Sequence, residues 1–414
     1  MEVILKTISI IGLGLIGSSI ARGLQGKYKI IGFNRRDEVT QKALKNGVID
    51  VAAKNLEDAV RGADIVVIAT PLGTYEEIAT QISEFLEPGT VVTDVGSVKT
   101  HAVFSIYKHM PPGVDFVPAH PIAGKESTGL DAGDGKLFVG KKAIITPLPK
   151  NRSESIQEVE NLWKDLGSIT EQMTPAEHDK IYACVSHIPQ LLAYAYSMAI
   201  HNKRYAIGQE PDNEIYKRFT RIRSSDAVIW AEIFMINGTN ISKFLEKLFN
   251  GIVHIDKFSN LVEMREELGD KEFAPKLTGN KKFDAATIIF PALLGNLLLF
   301  CAEDELENNL SRGFSAADIH ESLAMLEQQV GSEIQKRDYA EYAGTGLRDF
   351  TVFSLCDVSE LVADYEEEIQ LLKMLLHRKI FEITAAMESD SVEHLTEKLK
   401  EAQIMPENLR VRSL

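Results

Sequence analysis

The sequence falls into a first part in which strands and helices alternate and a second part that is helical. Strand-like runs alternate with helical stretches up to about residue 170, a glycine turn joins the first strand to the first helix, and strand signals fade after Pro175. Alternation of this kind is typical of a parallel sheet with helices on both faces. We therefore predict an α/β fold, in which a Rossmann-type, doubly wound domain (1–173) precedes an all-helical domain (174–268) and a second, degenerate helical copy (280–414).

The first strand ends in a glycine turn. An apolar run at residues 8–11 precedes the turn, and an apolar-periodic stretch continues to residue 24. Glycines at this spacing allow a tight turn and a close approach of the backbone, so a pyrophosphate can lie on the N-terminus of the following helix. We predict that a dinucleotide cofactor binds here, in contact with Gly12, Gly14, Leu15, Ile16 and Gly17.

The second strand, predicted over residues 29–33, ends where the cofactor ribose is expected. An acidic residue about 20 positions beyond the second glycine usually binds the ribose 2′-hydroxyl. Asn34 stands at that position and is followed by Arg35 and Arg36. Because asparagine removes a negative charge and guanidinium groups suit a phosphate, we predict NADP in preference to NAD. The alternative is two solvated arginines on a surface loop.

The later strands bring three turns to one rim of the sheet. Ligands of an open α/β sheet bind beyond the carboxyl ends of its strands. We assign Thr70 and Pro71, at one such end, to the cofactor; the second turn contains Ser97, and the third begins at His120. The strands are predicted at 64–69, 90–94, 116–119, 142–146 and 168–172, and the helices at 39–46, 75–86, 100–108 and 153–166.

The helical part contains a faint internal repeat. Pro189-Gln190-Leu191-Leu192 resembles Pro291-Ala292-Leu293-Leu294, and Phe219-Thr220 with Asp226 resembles Phe350-Thr351 with Asp357 at the same internal spacing. We interpret the repeat as a duplication, with chance similarity between amphipathic helices as the alternative. Helices are predicted at 176–201, 227–249, 287–309, 316–336 and 361–386, with a polar linker at 266–282.

Composition and charge exclude several classes of protein. The 44% hydrophobic and 25% charged residues are ordinary for a globular domain, and a net charge of −15 argues against a nucleic-acid-binding surface. The longest apolar run, residues 287–302, is short for a membrane span and contains Pro291 and Asn296, so we expect a buried helix and no membrane partner. Cys184, Cys301 and Cys356 lack metal-ligand spacing, and no signal peptide is visible. We therefore predict a cytoplasmic protein without a metal site.

Several segments together resemble the prephenate/arogenate dehydrogenase family of tyrosine biosynthesis, over about residues 5–250. The resemblance implies an oxidative decarboxylation. Prephenate or arogenate would lose hydride from C4 to NAD or NADP and its ring carboxylate as CO2, giving 4-hydroxyphenylpyruvate or tyrosine. The segments are the glycine turn, Asp94-Val95-Gly96-Ser97-Val98-Lys99, His120-Pro121-Ile122-Ala123-Gly124-Lys125-Glu126, Ser186-His187-Ile188-Pro189, and Thr220-Arg221-Ile222 with Ser224-Ser225-Asp226 and Trp230.

The resemblance implies roles for three residues at the reacting centre. His120 matches the catalytic histidine of the family, which would accept a hydrogen bond from the C4 hydroxyl. Ser97 matches the serine beside it, and its alternative is the N-cap of a helix. Arg221 matches the arginine that binds the substrate carboxylate, and its planar fork suits a bidentate clamp.

Three further residues are assigned to the substrate pocket by the same resemblance. His187 matches a family histidine near the substrate, with a core histidine on an apolar helix as the alternative. Lys125 and Glu126 follow the catalytic loop and are expected to gate the pocket, with a solvated loop pair as the alternative.

The sequence also departs from the family pattern. Members usually carry Gly-Phe-Arg-Asp before Phe-Thr-Arg. Here residues 214–218, which precede Phe219, read Glu-Ile-Tyr-Lys-Arg. A segment similar to the missing one lies downstream, where residues 343–351 read Ala-Gly-Thr-Gly-Leu-Arg-Asp-Phe-Thr. The second copy lacks the arginine and the tryptophan, with Val352 and Leu361 in their places. Because members are commonly dimers built through the helical domain, we predict a monomer with an intrachain pseudo-dimer, and a homodimer as the alternative.

Several functions remain open at this point. Gln190 stands where members often have histidine, which leaves the choice between prephenate and arogenate undecided. The alternatives are an aminodeoxyprephenate dehydrogenase, another dehydrogenase of the 3-hydroxyacid type, and a non-catalytic NADP-binding regulatory pseudoenzyme. The altered segment before Phe219 favours the pseudoenzyme, whereas the presence of Ser97, His120 and Arg221 argues against it.

Overall fold

The computed structural model describes residues 5–125, 127–201, 222–253, 280–307, 361–389 and 391–403. The chain divides into two compact units, Met1–Lys180 and Ile181–Leu414. No helix within these described ranges is long and apolar enough to cross a membrane.

The first unit is built on a six-stranded parallel sheet with the order β3-β2-β1-β4-β5-β6. Alternation of strand and helix gives this topology because each parallel connection needs a crossover, which is usually a helix. The strands are β1 (Thr7–Ile11), β2 (Lys29–Phe33), β3 (Val51–Ala52), β4 (Ile65–Ile68), β5 (Val91–Asp94) and β6 (Asp115–Phe116). The helices are α1 (Leu15–Leu24), α2 (Asp37–Lys45), α3 (Leu56–Val60), α4 (Tyr75–Ile82), α5 (Lys99–Ile106) and α6 (Ser153–Asp165).

A second, three-stranded sheet departs from the prediction of one continuous sheet. It consists of β7 (Ala119–Pro121), β8 (Lys142–Ile145) and β9 (Ile169–Gln172), with β7 antiparallel to β8. The strand predicted at 116–119 is thus split between the two sheets. Val117 still donates to Val92 O, but Pro118 has no N–H and its carbonyl instead accepts from Thr146, so the chain leaves the main sheet there.

The core of the first unit lies between the sheets and their helices. All four residues of β4 are buried, as expected for a strand covered on both faces, and the Trp163 and Phe138 rings meet edge to face with centroids 5.4 Å apart. The short elements β3 and α3 were not predicted, because two to five residues are too few to establish a hydrophobic period.

The second unit is helical in its described ranges. Helix α7 (Pro175–Tyr182) crosses the unit boundary and leads through a π-helical turn, Ala183–His187, into α8 (Ile188–Ile200). A short helix, Lys281–Asp284, and a second π-helical turn, Ala285–Ile289, lead in the same way into α11 (Phe290–Glu307). The remaining helices are α9 (Ala227–Ile236), α10 (Gly238–Val253), α12 (Glu366–Met387) and α13 (Val392–Gln403).

Several predicted helices are interrupted or displaced. The helix expected over 227–249 breaks at Asn237, which ends α9, and Asn237-Gly238 is a poor helix-forming pair. The helix α13 was not predicted. Ile288, Leu293 and Leu298 in the apolar run of residues 287–302 are buried, as expected, and so are Cys184 and Cys301. The helix expected at 316–336, most of the linker at 266–282, and Cys356 lie outside the described residues.

Candidate active site

The glycine turn between β1 and α1 is closely packed on one side and open on the other. Gly12 has φ +100°, and a Cβ there would lie 2.6 Å from Ala69 O; a Cβ on Gly17 would lie 1.9 Å from Gly12 O. A Cβ on Gly14 would meet nothing within 4 Å. The outer glycines are therefore needed for the turn itself, while Gly14 leaves space in front of the helix. These features fit a dinucleotide pyrophosphate.

The helix begins where that space lies. Ser18 N–H donates to Gly14 O at 3.0 Å, so the amides of Leu15, Ile16 and Gly17 belong to the first turn, which has no preceding helical carbonyls to bind. On the other side, Ala69 N–H donates to Ile11 O at 2.8 Å. This bond places the assigned segment Thr70-Pro71 directly after a strand that lies beside the glycine turn.

The end of β2 presents the two arginines to solvent. The Asn34 N–H donates to the Thr40 hydroxyl at 3.0 Å, and its side-chain oxygen accepts from Arg36 N–H at 3.3 Å. Asn34 therefore forms an Asx turn that fixes the start of α2. Arg35 and Arg36 are both exposed, so their guanidinium groups are accessible to a ligand.

A buried ion pair fixes the rim at the end of β5. Lys99 Nζ lies 2.5 Å from Asp94 Oδ2, with both side chains fully buried, and donates also to Ala119 O at 2.6 Å. Asp94 accepts from Gly96 N–H at 2.8 Å and from Ala119 N–H at 3.3 Å. Burial lowers the pKa of the Lys99 ammonium, while the Asp94 carboxylate opposes that shift. The pair ties the turn holding Ser97 to the residue before His120.

A chain of hydrogen bonds leads from a buried carboxylate to His120. His178 Nδ1 lies 2.8 Å from Asp179 Oδ1, and His178 Nε2 lies 2.9 Å from His120 Nδ1. An ionised carboxylate can only accept, so His178 donates from Nδ1 and accepts at Nε2. His120 must then donate from Nδ1, which leaves its Nε2 as a hydrogen-bond acceptor. This is the protonation state that a general base needs.

The carboxylate at the head of this chain is held by several donors. Asp179 accepts from Lys99 N–H at 2.6 Å, from Thr100 N–H at 2.8 Å and from the Thr100 hydroxyl. Burial by itself raises the pKa of Asp179, but the hydrogen bonds from His178, Thr100 and Lys99 outweigh it and leave that pKa below its usual value. Burial lowers the pKa of His178, partly opposed by Asp179. The two residues are therefore a carboxylate and a neutral imidazole near pH 7.

Ser97 does not cap the helix that follows it. Helix α5 begins at Lys99, and the N-cap position is Val98, which extends no capping side chain. The alternative role expected for Ser97 is therefore wrong, because Val98 lies between Ser97 and the first helical residue and takes the N-cap position. Ser97 is half-buried in the turn that the Asp94–Lys99 pair holds.

His187 lies in the second unit as a buried histidine with a defined partner. Its Nδ1 lies 3.0 Å from Asn237 Nδ2, and its ring centroid is 6.2 Å from that of Trp230. Asn240 donates to Asn237 Oδ1 at 2.8 Å, so the Asn237 nitrogen is the group that donates to His187. His187 accepts at Nδ1 and in its neutral form carries its proton on Nε2.

The loop after β7 and the segment after Arg221 are described in part. Lys125 forms a half-exposed ion pair with Asp134 at 2.8 Å, and Asp134 N–H donates to Ser19 on α1. Glu126 and Arg221 lie outside the described residues. The carbonyl of the next residue, Ile222, accepts from Gln190 Nε2 at 2.8 Å.

Sequence reasoning missed the residues that support the histidine. His178 and Asp179 were assigned no role, and Asp94 and Lys99 were noted only as parts of a motif. The adjacent His178-Asp179 pair at the start of a helix was a usable signal, but its link to His120 depends on residues 58 positions apart in the chain. Among the described residues, no group of three or more His, Cys, Asp or Glu side chains is arranged to hold a metal ion.

Comparisons with known proteins match both units. Residues 20–171 match the family model described as the nucleotide-binding domain of prephenate dehydrogenase, and residues 174–271 match its dimerization domain. Prephenate dehydrogenase from Bacillus subtilis is 32% identical over 275 residues, covering 63% of this chain and 71% of the relative. Cyclohexadienyl dehydrogenase from Zymomonas mobilis is 28% identical, covering 59% and 85%.

Solved structures give the same result. Prephenate dehydrogenase from Aquifex aeolicus, in complex with hydroxyphenyl propionate and NAD+, is similar with a TM-score of 0.57 and 32% identity, covering 64% of this chain and 93% of that one. Synechocystis arogenate dehydrogenase is similar with a TM-score of 0.53 and 25% identity, covering 63% and 93%. The glycine turn, the histidine in β7 and the two family-model matches in chain order agree with these relatives, and this chain belongs to the prephenate/arogenate dehydrogenase family of NAD(P)-dependent dehydrogenases.

Proposed function

We propose that this chain catalyses the oxidative decarboxylation of prephenate or arogenate, with hydride transfer to a nicotinamide cofactor. The observation that carries the proposal is the hydrogen-bond chain from Asp179 through His178 to His120. It leaves His120 Nε2 as an acceptor on the short strand β7, not beyond a strand end as expected, in the unit that also contains the glycine turn. An enzyme that oxidises a ring alcohol needs such a base.

The proposed chemistry begins at the C4 hydroxyl of the substrate. His120 Nε2 accepts the hydroxyl proton as carbonyl character develops at C4, and the electron pair of the ring carboxylate returns to the ring as CO2 leaves. The bound nicotinamide supplies the hydride acceptor. A neutral His178, backed by the Asp179 carboxylate, stabilises the proton that His120 gains, because the positive charge on His120 then faces a hydrogen-bonded acceptor. Ser97 is proposed to donate to, or accept from, the same hydroxyl.

The side-chain carboxylate of the substrate needs a separate clamp. We assign this role to Arg221, because a guanidinium binds a carboxylate through two parallel hydrogen bonds. His187, which offers Nε2–H in its neutral form, is proposed as a second donor to the substrate. Lys125 and Glu126 are proposed to close the pocket; the Lys125–Asp134 ion pair equally supports the reading of a solvated loop.

We propose that the enzyme prefers NADP to NAD. Asn34 carries no charge to repel a 2′-phosphate, and the exposed Arg35 and Arg36 follow a turn that Asn34 itself fixes. Residues 1–173 are proposed as the cofactor domain. A cytoplasmic location is proposed with this biosynthetic role.

The experiment that tests the function supplies prephenate and arogenate, each with NAD and with NADP, to the purified full chain. Reduced cofactor is followed by its absorbance, and CO2 release is measured in parallel. We expect turnover with at least one substrate and stoichiometric CO2. Lack of turnover in all four combinations, by a chain that is folded and binds NADP, would support the pseudoenzyme instead. Reduced cofactor without CO2 would indicate a different dehydrogenase.

A further inference from the structure

The helical unit contains the same unusual turn twice. The π-helical turns Ala183–His187 and Ala285–Ile289 lie 102 residues apart, and so do Pro189 and Pro291, the second residues of α8 and α11. A π-helical turn is rare and occurs mostly as a single turn inside an α-helix. In both places the turn ends two residues before a proline. Apolar helices in general do not share this arrangement, so the recurrence indicates a repeat.

The helices α10 and α12 also correspond to each other. Phe219 and Phe350 are 131 residues apart. Adding 131 to the residue numbers of α10 gives residues 369–384, which lie inside α12. Four buried positions of the two helices then coincide, whereas buried Leu248 falls on the half-buried Lys379. Buried Ile241, Phe244, Leu245 and Ile252 fall on buried Leu372, Leu375, Leu376 and Ile383.

The packing of these helices is reciprocal. Helix α10 packs on α11 and on the first π-helical turn, whereas α12 packs on α8 and on the second. The helices α10 and α12 also contact each other. Each copy thus packs its long helix on the partner copy, which is the arrangement of two subunits related by a two-fold axis.

The two copies meet through close side-chain contacts. The Tyr196 ring of α8 is parallel to the Phe290 ring of α11, with an angle of 2° and centroids 5.7 Å apart, and the Tyr196 hydroxyl donates to Ala286 O at 2.7 Å. All thirteen residues of α8 are buried within the single chain. Helices α12 and α13, which lie beyond the dimerization-domain match that ends at residue 271, both pack against α8.

At two positions where the first copy has a buried polar side chain, the described part of the second copy has an apolar one. With the same spacing of 102 residues, Ile289 corresponds to His187 and Ala292 corresponds to Gln190. Both Ile289 and Ala292 are buried. A buried apolar pair cannot bind a carboxylate or donate a hydrogen bond. At these two positions the second copy therefore lacks the hydrogen-bonding groups that the first copy offers.

The C-terminal part also reaches the segment that follows Arg221. Gln403, the last residue of α13, donates from Nε2 to Arg223 O and to Ser225 O, each at 2.8 Å. The Tyr194 hydroxyl donates to Ser225 O at 3.1 Å. Residues 222–225 are thus held by one copy through Gln190 and Tyr194, and by the C-terminal helix through Gln403.

We propose that α11, α12 and α13, within the second helical copy expected at 280–414, form an internal partner that replaces the second subunit and holds the backbone after Arg221 in place. The chain is then a monomer with one active site. Gln403 is a positioning residue, and this part of the proposal rests on the proposed function, since it assigns substrate binding to Arg221.

Sedimentation velocity on the full chain tests the internal partner without any assay of activity. We expect a single species of 46.0 kDa at concentrations from about 1 to 100 µM, where a dimer of micromolar or tighter affinity would assemble. A species of twice that mass would overturn the proposal, because an internal partner leaves the helical unit no surface for a second chain.

Steady-state kinetics test the positioning role. Gln403→Leu in the full chain is expected to raise KM for the substrate by about fivefold to tenfold, the effect of one or two lost hydrogen bonds, with kcat and the cofactor KM unchanged. Glu401→Gln on the exposed face of α13 is the matched control. A substrate KM equal to that of the control, at an unchanged melting temperature, would overturn the positioning role. If the wild-type chain shows no turnover, the proposed function is wrong. The sedimentation experiment would then still test whether the chain is a monomer with an internal partner.

Discussion

Two strand ends in the first unit hold charged groups in opposite ways. At the end of β5, Asp94 and Lys99 are fully buried and hydrogen-bonded to Ala119 and to each other. At the end of β2, Arg35 and Arg36 are exposed after the Asx turn of Asn34. The β5 end therefore fixes geometry at a high desolvation cost, whereas the β2 end offers charge that side-chain motion can adapt to a ligand.

The difference indicates which substitutions the fold tolerates. A buried network transmits a change at one member to all the others, because each donor or acceptor left alone stays desolvated. An exposed arginine is solvated whether or not its ligand is bound. We therefore expect changes at the β5 rim to affect stability and kcat, and changes at the β2 rim to affect only the choice of cofactor.

The largest effect is expected from breaking the buried ion pair. Asp94→Asn leaves the Lys99 ammonium buried without its counter-charge and should lower the free energy of unfolding by about 3–5 kcal/mol, measured by urea denaturation. Asp131→Asn is the matched control, because Asp131 pairs with Lys42 at 2.6 Å with half or more of each side chain exposed, and its loss should cost less than about 1 kcal/mol. Equal losses for both variants would show that burial does not distinguish the two pairs.

The next effect is expected on the chemical step. His120→Asn should lower kcat by about 10² or more and leave the cofactor KM unchanged, because the base is lost while the glycine turn is intact. His109→Asn changes a partly exposed histidine of the same unit and should retain the wild-type kcat. An unchanged kcat in His120→Asn would remove His120 from the mechanism.

A smaller effect is expected from the residue behind the base. His178→Leu should lower kcat by about tenfold, the value of one hydrogen bond of about 1.4 kcal/mol, and should shift the acid limb of the pH–kcat/KM profile. His178→Gln should recover part of the rate, because an amide oxygen can accept from His120 Nδ1. If the two variants have the same rate and the wild-type pH profile, His178 acts only through packing.

The buried histidine also makes stability depend on pH. The pKa of His178 is lowered below 6.5 by burial, so the unfolded chain binds the proton more readily than the folded one. Stability is then fully present above about pH 6.5 and falls as the pH drops through the folded pKa, by at most about 1.4 kcal/mol per pH unit for one proton. Thermal melts of the wild type and His178→Leu between pH 7.5 and 5 measure this, and equal slopes would contradict it.

The smallest effect is expected at the β2 rim. Asn34→Asp combined with Arg35→Ser should shift the NADP/NAD ratio of kcat/KM toward NAD by about fivefold to tenfold, because exposed charge contacts contribute about 0.5–1 kcal/mol each. Lys45→Ser, at the far end of α2, controls for the loss of a positive charge. A wild type that prefers NAD, with no response to the substitution, would show that the arginines point away from the cofactor.

The sequence was informative where a local pattern has one physical interpretation. The glycine turn, the strand periods and the change to helices after Pro175 predicted a fold that the structure and the family models confirm. The second sheet was missed because Pro118 interrupts pairing in a way that a hydrophobic run does not reveal. The assignment of His120 came from a resemblance, and its role, like that of Arg221, remains a prediction.

By itself, the sequence determined the turn at Gly12, the order of strands and helices, and the residue types at each strand end, because these depend on local backbone preference and hydrophobic period. Only the tertiary structure decided that His178 and Asp179 fix the proton of His120, and that Lys99 binds both Asp94 and Ala119. Hydrogen bonds between residues far apart in the chain leave no periodic trace. They form because folding buries polar groups together, and a buried donor or acceptor must find its partner there.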